Sequence, residues 1–185
     1  MLKTMVVPAR YAARENLLDG RPVLIRAIRP DDKEGLQAGM RRLSPESSYN
    51  RFMQAKRRLT EEELRYYTEV DFTTHVGLVA VVWEDGADLL VATARYVVDP
   101  AGAPRTAEVA FTVDNAHQGL GIATLFLKHL AVIARASGIA RFRASVLAEN
   151  RRMLDVFAHS GFPMTVEPDG GTVECRLSLQ AEVQR

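Results

Sequence analysis

Gln118-Gly119-Leu120-Gly121-Ile122-Ala123-Thr124 stands between a stretch patterned as a strand and one patterned as a helix. Small residues here let a backbone come close to a ligand. The first N–H groups of the helix that follows have no acceptor within it and point outward. Together with the helix dipole they suit an anion such as a phosphate or pyrophosphate. Thr124 adds a hydroxyl donor in the first turn. No lysine follows the glycines, so this is not the phosphate loop of the ATPases. A dinucleotide-binding turn wants a third glycine where Thr124 stands, a place early in a βαβ unit, and an acidic residue about twenty positions on. Here about 110 residues precede the turn, and Glu149 comes nearer thirty positions later. Taken alone, Gly119 and Gly121 also fit a plain structural turn.

The flanks carry more information. Upstream, Arg105 to Val113 reads as a strand after the turn Asp99-Pro100-Ala101-Gly102. Before it, Val76 to Trp83 and Leu89 to Val98 are rich in Val, lack a helical period, and flank Glu84-Asp85-Gly86, which predicts a hairpin. Val23 to Ile28 reads as a short strand. Asp31-Asp32 then precedes Leu36, Met40 and Leu43 at helical spacing, the pattern of a capped helix. Ser44-Pro45 opens a second helix, and Thr60 with Glu63 makes a capping box for a third through Leu64, Tyr67 and Val70. Downstream, Gly121 to Ser137 has a broad apolar face closed by Gly138. Arg141 to Leu147 alternates as a strand, Asn150 caps a helix ending at Gly161, and Val166 with Thr172 to Leu179 forms a hairpin around Asp169-Gly170-Gly171. The sum is α+β. Residues 1–20 have weak periodicity and read as an N-terminal arm; residues 21–185 read as a single domain.

Gln118-x-x-Gly121-x-Ala123 resembles the acyl-CoA-binding motif of the GNAT superfamily of N-acetyltransferases. Downstream, Asn150 followed by Phe157, Gly161 and Phe162 resembles the family's second motif. The two occur in order and on the expected elements, and the clear resemblance covers about Val76 to Phe162. Val23 to Asp32 is similar to the family's first strand and helix entry. Leu43 to Phe52, and Val70-Asp71-Phe72 ahead of His75, resemble the GNAT domain of bacterial protein-lysine acetyltransferases, enzymes that modify acyl-CoA synthetases. In those enzymes the domain is often fused to a regulatory or ligase-like one, for which this chain is too short.

The resemblance implies an α+β, GNAT-type acyl-CoA N-acyltransferase fold, a mixed central sheet with helices on both faces and two strands that splay apart. Acetyl-CoA, as cosubstrate, enters that cleft. The implied contacts are Phe111, Thr112 and Val113 beside pantetheine, backbone N–H groups of Gln118, Gly119, Leu120, Gly121, Ile122, Ala123 and Thr124 on the pyrophosphate, and Asn150 on the pantetheine arm. Asn150 also reads as a plain helix cap. Phe157 stands where the family often has a tyrosine that protonates the departing thiolate; a phenyl ring donates no proton, so Phe157 packs against the CoA arm or the core. A thiol of pKa ~8.5 is a tolerable leaving group unaided.

The implied reaction is attack of a primary amine, a protein lysine first, on the thioester. A lysine amine of pKa ~10.4 arrives protonated and needs a base. Glu108 is the candidate: it interrupts an apolar strand, lies ten residues before Gln118 near the family's spacing, and partial burial raises a carboxyl's pKa. A main-chain N–H near Val113 suits the oxyanion. The acceptor that the subfamily implies is a lysine of an acyl-CoA synthetase. A small amine and a non-catalytic acyl-CoA-binding regulatory role are the alternatives, and a homodimer is compatible with the sequence.

Composition narrows the rest. The chain has 185 residues, 47% hydrophobic and 25% charged, enough for a core without disulfides or metals. Its 24 Lys and Arg against 23 Asp and Glu leave a net charge of +1, no footprint for nucleic acid or a polybasic membrane anchor. Cys175 is the single cysteine, which excludes an intrachain disulfide and a multi-Cys zinc site; His75, His117, His129 and His159 lack ligand spacing, so no metal is expected. The longest apolar run, about Val76 to Trp83, falls far short of the ~20 residues of a membrane helix, and Met5-Val6-Val7 before Pro8 is no secretory core. A cytoplasmic location is the expectation.

Overall fold

The computed structural model describes residues 6–54 and 56–180. Strands β1 (Ala12–Asn16) and β2 (Pro22–Ala27) lead into helices α1 (Lys33–Arg42), α2 (Pro45–Phe52) and α3 (Glu61–Thr68). Then come β3 (His75–Glu84), β4 (Ala87–Val98), β5 (Thr106–Val113), α4 (Ile122–Ala136), β6 (Arg141–Leu147), α5 (Arg151–Ala158), β7 (Met164–Asp169) and β8 (Thr172–Ser178). The strands form one sheet in the order β1-β2-β3-β4-β5-β6-β8-β7, antiparallel except where β5 meets β6.

Both faces of this sheet are covered, which explains the valine run without alternation: every residue of β3 from His75 to Val82 is buried. Val76, Leu78, Ala80 and Val82 join Phe126, Leu130 and Ile133 of α4 in one core. Val79 and Val81 join Leu36 and Met40 of α1 and Leu64 of α3 in a second core on the opposite face. The α+β architecture with helices on both faces is the one expected.

Local chemistry starts the helices. Ser44 accepts the Ser47 N–H at 3.1 Å to open α2, and Thr60 with Glu63 forms the expected capping box of α3. Asp32 departs from its expected capping role for α1. Its carboxylate turns back to accept from the Arg29 N–H at 2.7 Å and from both terminal nitrogens of Arg26 at 2.8 and 2.7 Å. A bidentate, largely buried guanidinium outcompetes a helix N–H for the same oxygens.

The expected arm over residues 1–20 also needs correction; its residues 1–5 lie outside the described residues. Ala12–Asn16 is a sheet strand, paired with β2 from Ala12↔Arg26 to Asn16↔Pro22. Tyr11 Oη lies 2.6 Å from His129 Nδ1 and Lys128 donates to Glu15 at 3.0 Å, which ties this edge to α4. Among the described residues no helix is long and apolar enough to cross a membrane, and no group of three His, Cys, Asp or Glu side chains is placed to hold a metal.

Candidate active site

The site begins where the sheet opens. β4 and β5 pair over seven positions, Ala92↔Val113 to Val98↔Ala107. β5 and β6 pair only from Thr106↔Arg141 to Glu108↔Arg143 and then part. From Val109 to Val113 the β6-facing edge of β5 is unpaired by strand, an edge along which an extended chain with amide groups can lie.

At the end of that edge stands the glycine turn. Asp114 accepts the His117 N–H at 3.1 Å and caps a 3-10 turn over Asn115–His117; Gly119 (φ +78°) and Gly121 (φ +86°) then swing the backbone through conformations that side chains disfavour. Leu125 is the first α4 residue whose N–H finds a carbonyl, that of Gly121 at 3.0 Å. Among the described residues the N–H groups from Gly119 to Thr124 have no acceptor. Six outward donors at the positive end of a fifteen-residue helix fit a diphosphate.

Several side chains brace the turn and its flanks. Gln118 braces the turn: its amide donates to Ser47 Oγ at 3.0 Å and to the Val113 carbonyl at 3.1 Å, and its oxygen accepts from Arg152 at 3.0 Å. Ile122 and Phe111 are buried in the core, so only their backbone reaches the cleft. Asn150 accepts the Met153 N–H at 3.3 Å and caps α5. Phe157 is 1% exposed and packs in the core with its ring centroid 5.9 Å from that of Phe111. Thr112 and Val113 are half-buried, and Ala123 and Thr124 lie at the rim.

Glu108 occupies the last paired position before the strands part, and its side chain is 54% exposed with one oxygen 3.3 Å from Arg143 Nη2. The partial burial expected from its apolar neighbours is therefore absent. Strand alternation is the reason: Ala107 and Val109 point into the α4 core, and Glu108 points to the other face.

Sequence reading missed two clusters. In the first, Asp114 is 3% exposed and bridges His117 Nδ1 at 2.6 Å and Arg42 Nε at 2.9 Å, while His117 Nε2 lies 3.2 Å from Glu84. It locks the turn to α1 and to the β3–β4 hairpin, and nothing in the local spacing announces it. In the second, on the Glu108 face, the Arg95 guanidinium lies 3.7 Å from the Tyr67 ring centroid and that of Arg51 lies 4.9 Å from Phe52. Burial and the neighbouring Arg51 push Arg95 down to about 9, against the pull of Tyr67 and Tyr66. Burial also lowers Arg51, opposed by Tyr67, Glu108 and Tyr66. Arg95, Tyr67, Phe52, Thr93 and Thr112 line one cleft beneath α1 and α2. Arg95 interrupts a valine-rich strand just as Glu108 does, and the same signal identifies both. Cys175 is fully buried, and burial, reinforced by Glu174, pushes its thiol up, away from nucleophile duty.

Comparison with known proteins places this geometry. The acetyltransferase PA5475 of Pseudomonas aeruginosa is 33% identical over 166 residues, covering 89% of this chain and 88% of that protein. Acetyltransferase Pat of Mycolicibacterium smegmatis is 36% identical over 155 residues, covering 84% of this chain and 45% of Pat, so the chain spans about half of that relative. The crystal structure of the GNAT domain of S. lividans PAT matches with a TM-score of 0.83 at 37% identity, covering 94% of this chain and 99% of that one. A model of the acetyltransferase (GNAT) family matches residues 40–162, from the end of α1 through the glycine turn to the close of α5. The chain belongs to that family and is an N-acetyltransferase with acetyl-CoA as its cosubstrate.

Proposed function

We propose that this enzyme acetylates a protein lysine by direct attack of the amine on the thioester, with Glu108 as general base. The carrying observation is the position of Glu108: a carboxylate at the vertex where β5 and β6 separate, on the face that also bears Arg95 and Thr112. In this reading the glycine turn holds the diphosphate through its free N–H groups. The Val109 to Val113 edge hydrogen-bonds the pantetheine arm. Glu108 takes the proton of the arriving ammonium, directly or through water. The amine nitrogen then forms its bond to the acyl carbon, the carbon–sulfur bond breaks, and the thiolate leaves. A backbone N–H near Val113 stabilises the oxyanion, and Asn150 completes the pantetheine contacts from the start of α5. The likeness to Pat and to the S. lividans PAT domain supports a lysine of a protein such as an acyl-CoA synthetase as the acceptor.

Glu108→Gln is the direct test. Loss of a positioned base lowers kcat by roughly 10²–10⁴-fold, with acetyl-CoA affinity by calorimetry retained. Unchanged turnover removes Glu108 from this role. The acceptor is read by supplying enzyme and acetyl-CoA to a cell extract and mapping new acetyl-lysines, beside a panel of polyamines, amino acids and aminoglycosides; transfer confined to the panel makes the substrate a small amine.

A further inference from the structure

Four half-buried arginines in this protein are paired with carboxylates. Arg26 meets Asp32 in a fork at 2.8 and 2.7 Å, Arg42 meets buried Asp114 at 2.9 Å, Arg143 reaches Asp99 and Glu108 at 3.3 Å, and Arg176 meets Glu167 at 2.6 Å. Among the described residues Arg51 and Arg95 have no such partner. Both are half-buried, and among the described residues no carboxylate lies within 4.0 Å of either. What surrounds them is aromatic: Phe52 and Tyr67 under the guanidinium planes, with Tyr66 beside Tyr67 at a ring separation of 5.3 Å. Two half-buried cations within electrostatic reach of one another, neither paired with a carboxylate, are an arrangement that folding by itself disfavours. Aromatic faces hold a guanidinium in place while leaving its in-plane N–H fork free for a planar anion.

Their placement assigns the anion to the acceptor. In the antiparallel register Arg95 faces Ala110 and Val97 faces Glu108, so Arg95 and Glu108 are diagonal neighbours on one sheet face, a Cα separation of about 7–8 Å. The unpaired edge and the turn that suit the cosubstrate belong to the gap between β5 and β6, whereas this cleft lies under α1 and α2. Glu108 acts on Arg51 through space, but its oxygen bonds Arg143.

We infer that Arg51 and Arg95 form a carboxylate-recognition site beside Glu108, so that the amine this enzyme acetylates carries a carboxylate close by. The inference rests on the acceptor side reading of the Glu108 face given above. Two sources share this chemistry: an Asp or Glu side chain next to a target lysine, and the α-carboxylate of a free amino acid.

Capped peptides with the lysine flanked by Asp or by Asn, and free lysine against lysinamide, separate the sources. With wild type, one acid member of these pairs gains on the order of tenfold in kcat/KM over its neutral partner, carried by KM. Arg95→Met and Arg51→Met bring that ratio toward one, and Arg95→Lys restores only part of it, because a point charge lacks the fork. Acetyl-CoA binding by each variant confirms its fold. Equal kcat/KM for acid and neutral partners in wild type overturns the inference, and so does a ratio that survives in both Met variants. A preference for succinyl-CoA over acetyl-CoA that Arg95→Met abolishes assigns the carboxylate to the donor and overturns it as well. If no acceptor in the panel is acetylated, the protein-lysine reading is what suffers. The arginine site is then read separately by titrating the Arg Nε–H NMR resonances of the full chain with N-acetylaspartate. Shifts of Arg51 and Arg95, absent in the Met variants, support the site, and their absence overturns it.

Discussion

His75 and Asp71 sit next to the arginine cleft and give the chain a graded response to acid. His75 is 8% exposed, and burial, then the Arg95 charge, lower it from 6.5 to about 4 against the opposing pull of Asp71. The unfolded chain therefore takes up this proton first as pH falls. Stability is complete above about 6.5 and declines from there toward 4, at up to about 1.4 kcal/mol per pH unit. Denaturant midpoints measured from pH 7.5 to 4.5 are expected to show this slope, and His75→Gln to flatten it. Asp71 responds elsewhere. Burial works against its ionised form, yet the Thr74 hydroxyl and the N–H groups of His75, Thr73 and Thr74 outweigh it and hold the carboxyl well below the usual range. Its contribution is intact above the unfolded carboxylate value of about 3.9 and is lost only in stronger acid. The two groups therefore titrate in separate windows.

At the scale of elements, the turn before α4 is held by backbone geometry at one end and by charge at the other. Gly121 has φ +86°, and a Cβ there meets Leu18 Cγ at 3.2 Å. Leu18 is 80% exposed and can move aside, so the backbone conformation is the cost that remains. Gly121→Ala is expected to lose about 1–2 kcal/mol in chemical denaturation and to weaken acetyl-CoA binding by calorimetry, since it shifts the N–H groups of the turn. Arg42→Ala acts at the other end. It removes the α1 partner of Asp114 and leaves a carboxylate 3% exposed with His117 alone. A loss of about 2 kcal/mol and a raised KM for acetyl-CoA are expected. α1 and α2 thus reach the turn through Arg42 and through the bond from the Ser44 N–H to Asn115 Oδ1 at 2.7 Å. Helices α1 and α2 and the glycine turn are therefore one mechanical unit.

For the whole molecule, the consequential feature is a sheet left open along one seam, where β5 and β6 share only the pairs from Thr106 to Glu108. On the proposed placement, acetyl-CoA in that seam completes the hydrogen bonding of β5. Amide exchange from Val109 to Val113 is expected to slow on addition of CoA, while β3, buried on both faces, is unchanged. At a hundred times its Kd the ligand adds about 2.7 kcal/mol to stability, so the melting temperature rises with CoA concentration; equal exchange with and without CoA counts against the seam as its site. Local chemistry made much of this legible in the chain. The apolar stripe of α4, the caps at Ser44, Thr60 and Asn150, the hairpin turn at Glu84-Asp85-Gly86 and the paired glycines each act within a few residues, where sequence and conformation are directly coupled. β1 was not legible, because Ala12-Ala13-Arg14-Glu15-Asn16 has no apolar alternation and is held by backbone pairing to β2. Asp32 left its cap for Arg26, and Glu108 lost its expected burial to strand alternation, for the same reason: a partner or a face is set by the surrounding sheet. It took the folded chain to put Arg95, from β4, in one cleft with Tyr67 and to bring Arg51, from α2, within electrostatic reach of both, since charge and aromatic faces act through distance in space, and no spacing along the chain encodes that.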